Sequence, residues 1–166
     1  MRKVLVILGA TAVAASALTA PVTAAPTAAQ KDIAQVAASS PQFSTLVSLL
    51  KKAGLVGVLK KGNYTVFAPS NAAFSKLPKS TLEAVGQDKA LLKTVLTYHV
   101  VKGKVPAAKV VTLNGKRVPT LAGQSVKVRI RGGTVYLNGS SRVTKADVMA
   151  SNGVIHVIDR VLIPKT

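Results

Sequence analysis

Residues 64–74 read YTVFAPSNAAF, and residues 151–164 read SNGVIHVIDRVLIP. The first segment predicts a short strand that ends at Pro69, followed by a helix beginning at Ser70, whose hydroxyl can accept from the free helix N–H groups. The second predicts a tight turn at Asn152-Gly153 and a strand whose continuous aliphatic residues suit burial on both faces. We therefore expect the two segments to lie side by side in the interior, with Val66 and Phe67 close to Ile155 and Val157.

A third segment lies between these two. Residues 91–101 read LLKTVLTYHVV, which predicts an amphipathic helix that runs into a strand. After it, the dipeptides Asn114-Gly115, Gly132-Gly133 and Asn138-Gly139 separate short β-rich runs, and such dipeptides suit tight hairpins. The pattern predicts a single α+β domain, with helices mainly in the first half and a sheet mainly in the second.

In their order and spacing, the three segments resemble the fasciclin (FAS1) domain family. The resemblance extends from Asp32 to Pro164. It implies a wedge-shaped β-sandwich with helices packed along one side. The positions that carry the structural signature are Thr65, Val66, Phe67, Pro69, Asn71, Phe74, Asn152, Gly153, His156 and Asp159.

The chain begins with features of an export signal. Met1-Arg2-Lys3 precedes an apolar, alanine-rich run from Val4 to Leu18, and small residues follow up to Ala24. This arrangement predicts a secretory signal peptide at residues 1–24, with an uncleaved N-terminal anchor as the alternative. A flexible segment at 25–31 and a fasciclin domain at 32–164 would then form a secreted protein, located outside the cell, in the periplasm or at the envelope. We expect no transmembrane segment after signal removal.

The charge balance is strongly basic. The chain carries 23 basic and 5 acidic residues, and loss of Arg2 and Lys3 with the signal leaves a balance of +16. A field of this size concentrates polyanions near the surface. Lysine-rich faces that merely keep an apolar domain soluble are the competing interpretation. The chain has no cysteine, so burial rather than disulfides must stabilise it.

One basic row is a candidate anion-binding surface. Residues 126–131 read VKVRIR, a strict alternation that places the valines and isoleucine inward and the basic side chains outward. Two more arginines are expected on adjoining strands, and guanidinium groups make bidentate contacts with carboxylate or phosphate. A solvated face without a partner is the alternative. The candidate residues are Arg117, Lys127, Arg129, Arg131 and Arg142.

The resemblance also implies an adhesion or surface-interaction role without enzymatic activity. Two regions linked to integrin binding in some animal members match candidate interaction residues here, Tyr98-His99 and Asp147-Val148-Met149. The second match departs from the family pattern, because Lys145 and Ala146 stand where a Glu-Pro pair would precede the aspartate.

Partners follow from charge and from the same resemblance. We expect an anionic cell-wall or matrix polysaccharide, or an acidic surface protein. The alternative is a carrier of an apolar small molecule such as a carotenoid or lipid, since a few relatives hold such ligands. We do not expect nucleic acid as a partner, because the chain is predicted to be exported and has only six aromatic residues for base stacking.

Catalytic and metal sites are not indicated. The two histidines, His99 and His156, each lie in an apolar run, which favours buried, hydrogen-bonded imidazoles. Two histidines and five scattered acids supply no closely spaced ligand set, so we expect no metal and no cofactor. Ser70 lacks a nucleophile-elbow context, and helix capping is its expected role. Asp159 is expected to pair with a base or to accept backbone N–H groups, and Asp147 to begin a turn.

Overall fold

The computed structural model describes residues 31–164. The predicted signal peptide at 1–24, and the segment that follows it up to residue 30, lie outside the described residues. The helices are α1 (Ile33–Ala38), α2 (Ser44–Ala53), α3 (Val56–Lys60), α4 (Asn71–Ser75), α5 (Lys79–Gln87), α6 (Lys89–Tyr98) and α7 (Ala107–Thr112). The strands are β1 (Tyr64–Pro69), β2 (Val100–Lys102), β3 (Arg117–Pro119), β4 (Ser125–Arg131), β5 (Thr134–Leu137), β6 (Ser141–Ala150) and β7 (Gly153–Ile158).

Local signals account for several helix ends. Asp32 and Gln35 form a capping box at the start of α1, and the Asp88 carboxylate accepts from two N–H groups in the first turn of α6. Gly54 ends α2 in the left-handed conformation. Ser70 does occupy the N-cap position of α4, but its side chain makes no capping hydrogen bond, so that prediction was wrong. Its backbone carbonyl instead accepts from Ala73 N–H at 2.8 Å.

The seven strands form one continuous ladder in the order β2-β1-β7-β6-β5-β4-β3. Strands β1 and β7 pair in parallel, with Val66 opposite Ile155 and Phe67 opposite His156. This confirms that the two segments at 64–74 and 151–164 lie side by side. An isolated bridge between Val101 and Thr120 joins the edge strand β2 to the residue after β3. The ladder therefore curls until its two edges meet, which produces the sandwich.

The molecule has two apolar cores, one between the helices and the sheet and one between the two halves of the sandwich. The alternation of side chains along β1 sends Val66 and Ala68 into a core shared with the helices. It sends Phe67 into a second core, between β1, β2 and β7 on one side and β3, β4 and β5 on the other. Strand β4 contributes Val126 and Val128 to this second core, and their exposed fractions are 0% and 1%. The outward side chains of β4 therefore point away from both cores.

Two of the predicted glycine-containing turns form at the expected residues, and a third is shifted by one residue. Gly132 and Gly133, both at positive φ, form the two-residue connection between β4 and β5. Asn138 and Gly139, also at positive φ, lie in the three-residue connection between β5 and β6. The expected turn at Asn152-Gly153 is shifted, because Ala150 pairs with Gly153 and the loop residues are Ser151 and Asn152. Gly153 belongs to β7, where a Cβ atom would lie 1.8 Å from the carbonyl oxygen of Tyr64. Glycine is needed there for close backbone approach, not for turn geometry.

None of the helices within residues 31–164 has both the length and the apolar character that crossing a membrane requires.

Candidate functional site

A basic groove opens on the outer side of the β3–β5 region. Its volume is about 490 Å³, within the range of clefts that hold small ligands. We define the basic groove by its principal lining residues, Tyr98, Arg117, Lys127, Arg129 and Asn138. It combines three cations of the predicted anion-binding surface with the tyrosine of the Tyr98-His99 pair, two candidates that the sequence had placed in separate sites.

Strand register explains how the cations converge. Arg117 on β3 lies opposite Lys127 on β4, and antiparallel partners share a face. Arg129 lies two residues further along β4, on the same face as Lys127. Because Val126 and Val128 are held in the core, the basic side chains cannot exchange faces without exposing them. The prediction of an inward apolar side and an outward basic side is confirmed.

Tyr98 closes the end of the groove. It is the last residue of α6, and only 4% of its surface is exposed. Its hydroxyl accepts a hydrogen bond from Asn138 Nδ2 at 2.9 Å and donates to the Ser125 carbonyl at 3.4 Å. Asn138 in turn accepts from the Lys127 backbone N–H through Oδ1, at 3.0 Å. The tyrosine therefore holds the β5–β6 turn against the start of β4, which shapes the groove.

The groove contains no carboxylate to neutralise its cations. No aspartate or glutamate lines it. Within residues 31–164 the one ion pair joins Lys76 to Asp159, at 3.5 Å, so none of the groove cations is within ion-pair distance of an acidic side chain. The described helices carry lysine as their only basic residue, whereas four of the five described arginines lie on β3, β4 and β6. Arginine is concentrated on one face.

The remaining two residues of the predicted basic surface lie beside the groove. Arg131 is paired with Thr134 at the β4–β5 hairpin, and Arg142 is on β6. Tyr136 lies opposite both Arg129 and Arg142 in the ladder, so the three side chains form one cross-strand row. Sequence reasoning missed Tyr136 and Asn138 as possible site residues. The alternation of residues 134–137 and the following Asn-Gly turn could have placed them on the basic face.

The second predicted interaction region, Asp147-Val148-Met149, does not line the groove. Asp147 has a φ of 56° and lies at a register shift inside β6, so the prediction that it begins a turn was wrong, and the residue forms an irregularity within the strand instead. Its Oδ1 accepts from Ala107 N–H, the first residue of α7, at 2.7 Å. Val148 is half-buried, while Met149 has 54% of its surface exposed.

Both histidines are buried and fully hydrogen-bonded, as predicted. His99 Nδ1 is 2.7 Å from the Val95 carbonyl, and Nε2 accepts from Leu162 N–H at 2.8 Å. Burial lowers the pKa of His99 to about 4, against a smaller opposing effect of the Val95 hydrogen bond. This arrangement requires the neutral ring with its proton on Nδ1.

His156 is also neutral, but its proton is on Nε2. Its Nε2 is 2.8 Å from the Val105 carbonyl, and its Nδ1 accepts from Asp147 N–H at 3.4 Å. Burial lowers its pKa, and the Val105 hydrogen bond and the Asp147 charge oppose that shift. Its ring stacks on Phe67, with the centroids 5.8 Å apart. Neither histidine offers a free ring nitrogen to a substrate or metal.

The polar residues of the structural signature tie segments together. Thr65 accepts from Val105 N–H and donates to the Gly103 carbonyl, both at 2.8 Å. Asn71 accepts from Thr45 N–H and donates to the Pro41 carbonyl, which joins α4 to the start of α2.

Two further polar signature residues, Asn152 and Asp159, act near β7. Asn152 accepts from Ile33 N–H at 2.9 Å and donates to the Leu59 and Gly62 carbonyls. Asp159 accepts from Arg142 N–H at 2.9 Å and pairs with Lys76, which confirms both expected interactions of this carboxylate.

An apolar cavity lies between the helices and the sheet, where a carrier would hold its ligand. It is lined by residues such as Phe74, Leu92, Val95 and His99. Its volume is about 10 Å³, which is at most the space of one water molecule. A carotenoid would not fit unless the helices separated from the sheet. As for metals, no group of three or more histidine, cysteine or carboxylate side chains suited to an ion occurs in the described part of the chain.

The sequence matches the family model described as Fasciclin domain over residues 41–164. This chain belongs to the fasciclin domain family. It is also similar to a solved structure, a FAS1 domain pair from the insect cell adhesion molecule Fasciclin I, with a TM-score of 0.66 at 21% identity. That likeness covers 81% of this chain and 51% of the two-domain chain, and it confirms the α+β wedge-shaped sandwich with its helices.

Bacterial relatives resemble this fasciclin domain more closely in sequence. Protein sll1483 of Synechocystis is 47% identical over 135 residues, covering 80% of this chain and 73% of its own length. Immunogenic protein MPB70 of Mycobacterium bovis is 41% identical over 140 residues, covering 81% of this chain and 70% of its own length. The cell surface glycolipoprotein MPB83 of Mycobacterium bovis is 36% identical over 141 residues, covering 82% of this chain and 62% of its own length.

Proposed function

We propose that this fasciclin domain is an exported, non-enzymatic surface-interaction module that binds anionic cell-wall or matrix polymers through its basic groove. The observation that carries the proposal is the meeting of Arg117, Lys127 and Arg129 around one cleft that contains no carboxylate. An arginine or lysine that only needed to keep the domain soluble could be placed on any face, with acids interspersed.

The distribution of arginine supports binding over simple solubility. A guanidinium presents a rigid, planar set of donors that matches carboxylate or phosphate groups, whereas lysine is a flexible point charge. The described helices use lysine throughout, and arginine is concentrated beside the groove. The hydrogen bonds of Tyr98 and Asn138 hold the groove wall in place, which limits the entropy that binding would cost.

A non-enzymatic role is supported by the state of the histidines. Both rings use their two nitrogens within the fold, so neither is available as a general base. A location outside the cytoplasm is supported by the predicted signal peptide and by similarity to a relative named as a cell surface glycolipoprotein. An adhesion role draws on the fold shared with an insect cell adhesion molecule.

The binding test compares two triple variants of equal charge. Arg117→Ala/Lys127→Ala/Arg129→Ala should weaken binding to immobilised polygalacturonate by about tenfold or more, because it removes the three groove cations that would contact the polymer. A tenfold loss of affinity corresponds to about 1.4 kcal/mol of binding free energy. The matched control, Lys60→Ala/Lys79→Ala/Lys89→Ala, removes three exposed charges outside the groove and should lose far less. Wild-type binding should fall steeply as salt rises. Equal losses in both variants, or retention that ignores salt, would contradict the proposal.

The apolar-carrier alternative is not proposed, since the cavity between the helices and the sheet has too little volume to favour it.

A further inference from the structure

The row formed by Arg129, Tyr136 and Arg142 adds an aromatic ring to the basic face. We refer to these three residues as the arginine–tyrosine row. Ladder pairing places Tyr136 directly between the two arginines, on three adjacent strands β4, β5 and β6. Both arginines are exposed and the tyrosine is half-buried, so its ring can be reached from solvent.

We propose that the arginine–tyrosine row is a subsite for a polysaccharide that contains uronic acid residues. The apolar C–H face of a pyranose ring would pack on Tyr136, and sugar carboxylates would bind the guanidinium groups of Arg129 and Arg142. The inference rests on the proposed polyanion-binding function and names the chemical class of the polymer.

The spacing of the row fits such a ligand. Adjacent strands are about 4.8 Å apart, so the two arginine Cα atoms are roughly 10 Å apart with the tyrosine between them. Carboxylates that flank a sugar ring carried by the tyrosine would meet one guanidinium on each side. Arg129 also lines the basic groove, so a polymer bound to the row can continue along Lys127 and Arg117.

The aromatic ring favours a saccharide over a phosphate polymer. A tyrosine ring has a negative face that attracts the weakly positive C–H groups of a sugar, and it offers a large contact area at low entropic cost. A polyphosphate chain has no apolar face and would gain nothing from the ring. Neither arginine is within ion-pair distance of a carboxylate among residues 31–164, so both are available to a ligand.

The experiment measures the affinity of the purified protein for oligogalacturonate and for polyphosphate of equal charge, with dextran as the neutral control. Tyr136→Leu should weaken oligogalacturonate binding about fivefold or more and leave polyphosphate binding unchanged. Tyr136→Phe, which keeps the ring, should bind both ligands as the wild type does. Arg142→Ala should weaken oligogalacturonate binding, and thermal unfolding of each variant shows whether it is folded.

Each remaining outcome decides between the two proposals. If Tyr136→Leu binds oligogalacturonate as tightly as the wild type, the saccharide subsite is wrong and the polyanion-binding function stands. The same conclusion follows if polyphosphate binds more tightly than oligogalacturonate and neither variant at position 136 changes the affinity for either polymer. If neither anionic polymer binds better than dextran, both proposals fail.

Discussion

At the scale of single residues, the sequence identified Gly153 as a position that needs glycine, but for the wrong physical reason. The Asn-Gly pair indicated a turn, but the glycine lies in β7 beside the Tyr64 carbonyl. The contact joins two segments about ninety positions apart, and no local pattern contains it. Tyr98 and Asn138 show the same limit, because their hydrogen bond joins a helix end to a hairpin 40 residues later.

We expect Gly153→Ala to destabilise the protein severely, by about 3 kcal/mol or more, because the new methyl group would overlap backbone that cannot move without separating β1 from β7. Urea unfolding measures the loss. Gly86→Ala is the matched control, since Gly86 lies in α5 with open space around its Cα, and there alanine should be neutral or stabilising by up to about 1 kcal/mol. Similar stabilities for both variants would show that the close approach at Gly153 is not needed.

At the scale of elements, helix α6 links the two cores and the groove. Leu92, Val95 and Leu96 pack in the core beneath the helices, while Tyr98 at its end reaches the second core and the groove wall. The apolar periodicity of residues 91–96 was enough to predict the helix. Its cap was predictable as well, because Asp88 precedes the first turn and its carboxylate accepts from Ala90 and Leu91 N–H.

We expect Asp88→Ala to cost about 1 kcal/mol of stability through loss of the cap and of a negative charge at the helix N-terminus. Asp88→Asn, which keeps the capping oxygen, should recover most of the loss. Guanidinium unfolding of the two variants and the wild type measures both effects. An asparagine variant no more stable than the alanine variant would indicate that the charge, rather than the hydrogen bond, stabilises the helix start.

At the scale of the whole molecule, the buried histidines make stability depend on pH. His99 joins α6 to the C-terminal segment through Val95 and Leu162, and it is neutral in the folded state. Its folded pKa of about 4 is below the unfolded value of 6.5, so the unfolded chain binds more protons between these values. Stability is therefore complete above pH 6.5 and is lost as the pH falls toward 4.

For this one residue, the loss over that window amounts to at most about 3 kcal/mol. His156, whose pKa is also lowered, should add to the loss in the same direction. Urea unfolding at a series of pH values from about 7.5 to 4 checks this, with His99→Gln as the comparison, which should unfold more easily at neutral pH but show a weaker pH dependence. A wild type equally stable across the window would be inconsistent with neutral buried imidazoles.

The sequence alone determined the α+β class, the two signature strands and the outward row of basic side chains. Each of these follows from short-range patterns, since periodicity, turn dipeptides and apolar runs are properties of neighbouring residues. Only the tertiary structure decided that Tyr98, Asn138 and the cations meet in one groove, and that Tyr136 lies between two arginines. Those arrangements depend on how the ladder curls until Val101 meets Thr120, a closure set by packing between distant segments.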